Sequence, residues 1–470
     1  MARKAAIVGG GVIGGGWAAR FLLMGWDVAL FDPSEAARAR VARVLEQARY
    51  ALPMLYEGPL PPEGRLRVSE TLEQAVAEAD YIQESVSEVL DLKHRVLSDI
   101  LAANPDAPAG SSTSGFTPSD LRAGLGEGAG RVLVAHPFNP VYLLPLVEIV
   151  GRDGAVPGAL EAVESALSGI GMVPLVIPRE IDAHVADRLL EAVWREALWL
   201  VRDDIATTAQ IDDAIRLGFG LRWAQMGLFE TYRIAGGDGG MAHFLAQFGP
   251  ALAWPWTKLV DVPELTDALV AKIAAQSDAQ SDARSIAELE AERDGNLVAI
   301  LRALRARGAA AGRAIAAHEE RLSLAPGGGA FTTVERTIPL DWTDYNGHMN
   351  ESRYGQVFSD ASDRVLDAFG AGPDYVSAGF SYFTVESTIR YLAETLAGER
   401  IRAETRITLA DGKKLGLSHV MSRVSDGARL AEADQLLVHV SLETRRSCPP
   451  REDIAARLTE LAAAHASDKV

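Results

Sequence analysis

The first 180 residues alternate short apolar runs with longer stretches whose apolar positions recur at helical spacing. Strands that alternate with helices in this way predict a parallel, doubly wound α/β sheet with helices packed on its faces. We place this domain at residues 1–178. The apolar runs that predict its strands lie at residues 5–8, 28–31, 81–85, 131–136 and 146–150.

From residue 179 to 324 the pattern becomes helical and predicts an all-α domain for substrate binding and dimerisation. A Pro-Gly-Gly-Gly run at 326–329 then marks a domain boundary. One amphipathic helix, 351–369, among several alternating strands predicts an α+β domain at 330–450. The other predicted helices are 185–201, 208–218 and 286–321, and the later strands are 331–340, 380–389, 400–409, 415–423 and 431–444.

Charge and cysteine content narrow the classes of partner. The formal net charge of −18, from 64 acidic and 46 basic residues, argues against nucleic acid or an anionic membrane as a partner. The single cysteine, Cys448, excludes a disulfide within one chain and suggests no thiolate metal site. The chain enters a strand at once and has no apolar run of about 18 residues, so we expect a cytoplasmic protein.

A glycine-rich turn follows the first predicted strand and opens a helix. Its motif is Gly9-x-Gly11-x-x-Gly14, and Asp32 ends the second strand 18 residues after Gly14. This context predicts a Rossmann dinucleotide loop, with the pyrophosphate at the helix N-terminus and Asp32 on the adenosine ribose. The carboxylate of Asp32 would repel a 2′-phosphate, so NAD is favoured over NADP. The candidate cofactor-binding residues here are Gly9, Gly10, Gly11, Val12, Ile13, Gly14 and Asp32.

His136 and Glu148 are candidates for the oxidation of an alcohol. Such a reaction needs a base for the hydroxyl proton, and a carboxylate on the other ring nitrogen would orient a histidine base. His136 ends a strand at the carboxyl edge of the sheet, where ligands bind in doubly wound folds. The alternative is that His136 and Glu148 have a structural role and not a catalytic one.

The surrounding segments resemble the 3-hydroxyacyl-CoA dehydrogenase superfamily over residues 4 to about 260. The segments that carry the resemblance are His136-Pro-Phe-Asn-Pro-Val-Tyr-Leu-Leu-Pro-Leu-Val-Glu148, Ser111-Ser-Thr-Ser114 and Glu84-x-x-x-Glu88 with Lys93. The resemblance implies that His136 is the catalytic base, Glu148 its orienting partner and Ser114 a contact to substrate and nicotinamide. It also implies that Glu88 and Lys93 lie beside the nicotinamide ribose, and Asn139 is a candidate substrate contact.

Asp187 departs from that superfamily, which usually has Asn in an Asn-Arg-Leu segment near the substrate carbonyl. The added negative charge favours a cation in the pocket. Five tryptophans lie in the helical domain, and aromatic faces with a carboxylate bind trimethylammonium groups. Core packing is the alternative for most of these rings. The tryptophans are Trp194, Trp199, Trp223, Trp254 and Trp256, and the proposed cage comprises Trp223, Phe229 and Tyr232 with Asp187 or Glu230.

Residues 220–232 closely resemble the L-carnitine 3-dehydrogenase branch of the same superfamily. The resemblance implies L-carnitine as the substrate, a molecule that carries a 3-hydroxyl, a carboxylate and a trimethylammonium group. Arg222 is a candidate partner for the carboxylate, and a solvated surface arginine is the alternative.

A second motif, Asp344-Tyr-Asn-Gly-His-Met-Asn350 ahead of Tyr354, opens the C-terminal domain. With the strand–helix–strands pattern around it, the motif resembles the hotdog-fold acyl-CoA thioesterases over roughly residues 331–450. The resemblance implies that Asp344 is the base that activates water, or the nucleophile. The helix N-terminus near Glu351 would polarise the thioester carbonyl, and His348 and Asn350 would shape the turn or contact the acyl group.

Together the motifs predict a bifunctional enzyme. It would oxidise L-carnitine with NAD and hydrolyse a CoA thioester, with betainyl-CoA inferred from the pairing of the two activities. The alternative is a 3-hydroxyacyl-CoA dehydrogenase with a non-catalytic hotdog binding or oligomerisation module. No metal ion is expected. The expected partners are the small-molecule substrates and further copies of the chain, in a homodimer or larger assembly.

Overall fold

The computed structural model describes residues 3–322 and 331–466, except residues 57, 236–242, 247–256, 258–263, 265, 270 and 273–284. The chain divides into two compact units. The first comprises Met1–Ala48 and Gly64–Ala316, and the second comprises Arg49–Glu63 and Ala317–Val470. Among the described helices, none is both long and apolar enough to cross a membrane.

An eight-stranded sheet, in the order β3-β2-β1-β4-β5-β6-β7-β8, forms the centre of the first unit. Its first six strands are parallel and have the strand order of a dinucleotide-binding fold. Strands β3, β5 and β8 were not among the predicted strands. Strands β3 and β5 have three residues each, too few to produce an alternating pattern, and β8 is interrupted by Pro174. The strands are β1 Lys4–Val8, β2 Asp27–Phe31, β3 Leu66–Val68, β4 Tyr81–Glu84, β5 Ala109–Ser111, β6 Val132–Pro137, β7 Leu146–Val150 and β8 Val173–Val176.

The prediction of a parallel sheet is wrong at one place, because β7 runs antiparallel to β6. Eight residues join these strands, and a parallel crossover needs a dozen or more. The antiparallel register places His136 directly opposite Glu148.

Helices cover the sheet and bury its apolar positions. Val8, Ile82 and Val134 of the sheet form one core with Leu97 and Ile100, and all five are buried. The predicted Rossmann architecture is therefore confirmed. The helices of this part are α1 Val12–Leu23, α2 Glu35–Ala51, α3 Leu72–Val76, α4 Leu90–Ala103, α5 Pro118–Arg122 and α6 Ala159–Gly169.

The helical part that follows contains α7 Ala186–Arg202, α8 Thr208–Ala214, α9 Gly220–Ala235, α10 Ile286–Ala306 and α11 Ala310–Arg321. The single helix predicted over 286–321 is in fact α10 and α11. They are separated at Gly308, whose φ of 58° lies in the left-handed region that ends helices.

The second unit contains a five-stranded antiparallel sheet in the order β10-β13-β12-β11-β9. Helix α12 packs on this sheet through Val357, Phe358 and Ala361, against Val334 and Ile401 of the strands. One long helix against an antiparallel sheet confirms the predicted α+β class. The elements are β9 Phe331–Thr337, α12 Glu351–Ala368, α13 Pro373–Ser377, β10 Phe380–Tyr391, β11 Arg400–Asp411, β12 Lys414–Arg423, β13 Arg429–Ser441 and α14 Glu452–Ala466.

Three described segments outside the predicted 330–450 range belong to this unit, namely residues 49–63, the end of α11 from Ala317, and α14. Helix α14 buries Ile454 and Leu458 in its core. Residues 49–63 also join it, because the hydroxyl of Tyr56 lies 3.0 Å from Nδ1 of His318. The N–H of Gly58 donates to the Glu319 carboxylate, which also pairs with Arg364.

Candidate active sites

The glycine loop between β1 and α1 has the form that a dinucleotide requires. Gly9 has a φ of 108°, and a Cβ there would lie 2.5 Å from the carbonyl oxygen of Ser85. A Cβ on Gly14 would lie 1.8 Å from the oxygen of Gly9, so the helix packs on the loop without side chains. At Gly11, by contrast, a Cβ would meet nothing within 4 Å. The loop is therefore tight inside and open where a pyrophosphate would lie.

The N-terminus of α1 fits an anion. Gly11 is its N-cap and has no side chain to accept the first N–H groups, so these remain available to a phosphate. Asp32 accepts the N–H of Gly10 at 2.6 Å and of Ser34 at 2.8 Å. These bonds leave lone pairs on the Asp32 carboxylate, and its predicted contact to the ribose stays a prediction.

The His136–Glu148 pair forms a hydrogen-bonded dyad. Nδ1 of His136 lies 3.1 Å from Oε2 of Glu148, and Nε2 lies 3.3 Å from Oγ of Ser114. The carboxylate implies that Nδ1 carries the proton, so Nε2 presents a lone pair. The structure brings the three predicted catalytic residues of this half together.

Glu148 is fully buried and holds more than the histidine. Its second oxygen, Oε1, accepts the N–H groups of Val185 at 3.0 Å and Ala186 at 2.9 Å, where α7 begins. Burial acts to raise the pKa of Glu148. The hydrogen bonds from His136, Ala186 and Val185 outweigh it and hold the pKa below its ordinary value.

Glu88 and Lys93 support the loop that carries Ser114. Oε1 of Glu88 accepts the N–H of Ser114 and of Gly115, each at 3.1 Å, and the hydroxyl of Thr113 at 2.5 Å. Nζ of Lys93 is buried and lies 3.2 Å from Glu88. A contact of Glu88 or Lys93 to the nicotinamide ribose stays a prediction.

Two residues of this network were missed by the sequence analysis. Glu84 is buried and accepts from Lys93 at 3.0 Å and from Ser111 at 2.5 Å, although it was quoted only as part of a motif. His184 is also fully buried, with its ring centroid 5.5 Å from that of His136 and its Nε2 3.1 Å from the carbonyl oxygen of Thr113. Burial, with the nearby His136, lowers the pKa of His184. Its position one turn before Asp187 was the available signal.

The residues of the predicted carnitine cage are less closely packed together than those of the His136–Glu148 network. Trp223 pairs with Phe219 at 4.6 Å between centroids, and Tyr232 stacks on Phe244 at 4.7 Å. Gly227, with a φ of 72°, interrupts the helix between Trp223 and Phe229. Arg222 and Phe229 are exposed.

Within the part of the chain that the structure describes, the dyad has hydrogen-bond and ring partners that lie outside α9, namely Ser114, Phe138, His184, Val185 and Ala186. Trp254 and Trp256 lie outside the described residues. Asn139 is exposed beside the dyad strand and precedes a cis proline. Asp187 lies in the first turn of α7, and its charge acts to raise the pKa of His184, although burial lowers that pKa overall.

The second motif forms a closed turn in the other unit. The N–H of Asp344 donates to the carbonyl of His348 at 2.8 Å, and the Asp344 carboxylate accepts the N–H of Asn346 at 2.8 Å. Asn350 caps α12 by accepting the N–H of Ser352 at 3.0 Å. The turn therefore places a half-exposed carboxylate beside a helix N-terminus, where the N–H of Glu351 has no acceptor among the described residues.

Comparisons with known proteins agree with both halves. Three family models match: the 3-hydroxyacyl-CoA dehydrogenase NAD binding domain at residues 4–181, the 3-hydroxyacyl-CoA dehydrogenase C-terminal domain at 184–274, and the thioesterase-like superfamily at 338–458. An L-carnitine dehydrogenase/betainyl-CoA thioesterase of Ruegeria pomeroyi is 54% identical over 98% of this chain and 96% of its own length. The chain belongs to the family of L-carnitine dehydrogenase/betainyl-CoA thioesterases.

Some other relatives match both halves of this chain, and others match only part of it. The L-carnitine dehydrogenase/betainyl-CoA thioesterase of Rhizobium meliloti is 49% identical over 98% of this chain and 96% of its own length. An L-carnitine dehydrogenase of Pseudomonas putida, 49% identical, covers 64% of this chain and aligns over 93% of its own length. A solved structure of an NAD-dependent 5-formyl-3-hydroxy-2-methylpyridine 4-carboxylic acid 5-dehydrogenase is 27% identical with a TM-score of 0.55. It covers 65% of this chain and 99% of its own.

We expect Glu148→Gln to lower kcat for alcohol oxidation by about 10²–10⁴-fold. The amide oxygen would replace Oε1 as acceptor for Val185 and Ala186, and its NH₂ would then face His136. Nδ1 would become the acceptor and Nε2 would carry the proton, so the base would be lost. Steady-state kinetics and NAD binding by fluorescence check this. Glu161→Gln, an exposed change on α6, should alter neither, and an equal loss of NAD affinity in Glu148→Gln would contradict the assignment.

Proposed function

We propose that this chain oxidises the 3-hydroxyl of L-carnitine to 3-dehydrocarnitine with NAD and hydrolyses betainyl-CoA. The proposal rests on full-length similarity to bifunctional relatives and on the Ser114–His136–Glu148 arrangement. The alternative, a 3-hydroxyacyl-CoA dehydrogenase with a non-catalytic second half, is not favoured by those relatives.

In the dehydrogenase half, Nε2 of His136 takes the proton of the substrate hydroxyl. Glu148 stays ionised, keeps the histidine in the required tautomer and stabilises the imidazolium that forms. Ser114, held by Glu88, orients the hydroxyl. NAD, bound at the glycine loop, supplies the acceptor for the hydride.

In the thioesterase half, Asp344 acts on the thioester carbonyl either through water or as the nucleophile. The N–H of Glu351 at the start of α12 is available to the carbonyl oxygen as negative charge develops on it. His348 and Asn350 hold the turn that presents Asp344.

A homodimer is part of the proposal. Strand β10 is an edge strand of twelve residues, and Phe383 and Val385 are 43% and 59% exposed on it. An edge strand of this length presents unpaired N–H and C=O groups that can pair with a strand of another chain. Sedimentation velocity on the full chain should show a dimer or larger species, and a monomer at micromolar concentration would contradict it. The cytoplasmic location likewise stays a prediction.

NAD reduction should be observed with L-carnitine and should be much weaker with D-carnitine and with 3-hydroxybutyryl-CoA. Asp187→Asn should raise the KM for L-carnitine about fivefold, because a solvent-accessible ion pair contributes up to about 1 kcal/mol. The same change should improve uncharged 3-hydroxy acids. Asp182→Asn, an exposed neighbour, is the matched control. Oxidation of 3-hydroxybutyryl-CoA alone would refute the carnitine assignment.

Asp344→Asn should reduce betainyl-CoA hydrolysis by at least about 10²-fold, since the group that attacks or activates water is removed. Carnitine oxidation by the same protein should be unchanged, which reports on folding. Release of free CoA, followed with a thiol reagent, measures the effect. Full thioesterase activity in the variant would show that Asp344 is not catalytic.

A further inference from the structure

Two tyrosines meet beside the Asp344 turn. Tyr354 lies in the first turn of α12, and its ring centroid is 5.3 Å from that of Tyr391, with the rings nearly perpendicular at 86°. Tyr354 is 4% exposed and Tyr391 is 54% exposed. The buried ring therefore supports an exposed one, which offers an aromatic surface to a ligand.

The chain that follows Tyr391 lies along the same turn. The hydroxyl of Tyr354 donates to the carbonyl of Ala393 at 3.2 Å, and the N–H of Met349 donates to the carbonyl of Thr395 at 2.8 Å. Between these two contacts lies Glu394, whose Oε2 is 3.5 Å from Nε2 of His348. Glu394 therefore lies next to the residues that shape the Asp344 turn.

Glu394 carries a negative charge that the nearby arginine does not neutralise. Arg423 donates to the backbone carbonyl of Glu394, while its guanidinium pairs with Glu399 at 3.2 Å and Asp426 at 2.9 Å. Among the described residues, the carboxylate of Glu394 has His348 as its ion-pair partner. Asp344 is a second carboxylate in the turn that Glu394 contacts through His348.

We propose that Tyr391, supported by Tyr354, and Glu394 bind the quaternary ammonium of the acyl group during thioester hydrolysis. This inference rests on the proposed hydrolysis of betainyl-CoA and assigns the residues that select its charge. A quaternary ammonium has no N–H to donate, so aromatic faces and a carboxylate are its suitable partners.

The short acyl chain agrees with this placement. One methylene separates the thioester carbonyl carbon from the ammonium nitrogen, a distance of about 2.5 Å. A group that binds the nitrogen must therefore lie close to the groups that act on the carbonyl. Tyr354 follows Asn350, the cap of α12, by one helical turn, and Glu394 contacts His348.

The test compares betainyl-CoA with 3,3-dimethylbutyryl-CoA, in which carbon replaces the charged nitrogen at almost the same shape. We expect the full chain to prefer the charged thioester in kcat/KM by about 10-fold or more, as a cation–aromatic contact with a carboxylate would provide. Tyr391→Leu and Glu394→Gln should each reduce that preference about fivefold, because kcat/KM for the charged thioester should fall more than kcat/KM for the neutral one. Tyr391→Phe, which keeps the ring, should retain the preference.

Asp411→Asn, which removes an exposed carboxylate from the end of β11, is the control for net charge and should leave the preference unchanged. Carnitine oxidation by each variant reports on folding, and the conservative Tyr391→Phe and Glu394→Gln changes keep the test informative if Tyr391→Leu is unstable. Hydrolysis of both thioesters with an unaltered preference in the variants would overturn the inference and leave the proposed thioesterase in place. If the unmodified chain hydrolyses neither thioester, the proposed function fails, and the inference fails with it.

Discussion

The buried charge of Glu148 is the constraint on which the dehydrogenase half depends. An ionised carboxylate without solvent is costly unless its oxygens find donors. Glu148 takes one donor from the opposite strand, at His136, and two from the backbone at Val185 and Ala186. The bonds that keep the charge stable also fix the tautomer of the base and the start of α7. Catalytic orientation and the attachment of the helical part to the sheet are thus one interaction.

The two sites use carboxylates in opposite ways. In the first, Glu148 and Glu88 are saturated with donors and act as rigid supports for His136 and Ser114. In the second, Asp344 is half exposed and bonds within its own turn, so it keeps an oxygen for water or for a thioester carbon. A buried carboxylate with many hydrogen-bond donors holds other residues in place, whereas an exposed carboxylate with few donors is free to take part in the reaction.

Local sequence patterns predicted those parts of the molecule that are determined by residues close together in the chain. The glycine loop, the ends of β6 and β7 and the Asp344 turn each carry their signal within about a dozen residues. The donors to Glu148 at the start of α7 are backbone N–H groups, so the identity of the side chains there gives no signal for them. His184 depends on Thr113, 71 residues earlier, and the three-residue strands β3 and β5 are too short to show a period. What was missed depends on long-range contacts or on the backbone.

Residues 49–63 have a consequence for how this protein can be rearranged. The polypeptide passes between the two units three times, after Ala48, after Glu63 and after Ala316. Severing the chain between 324 and 330 would leave residues 49–63 and the end of α11, both parts of the second unit, on the other fragment, and would break the pair between Glu319 and Arg364. A protease or a recombination event that acted at that single point would therefore not release the second unit complete. The second unit does not correspond to one continuous segment of the chain, even though each unit has its own sheet and its own site.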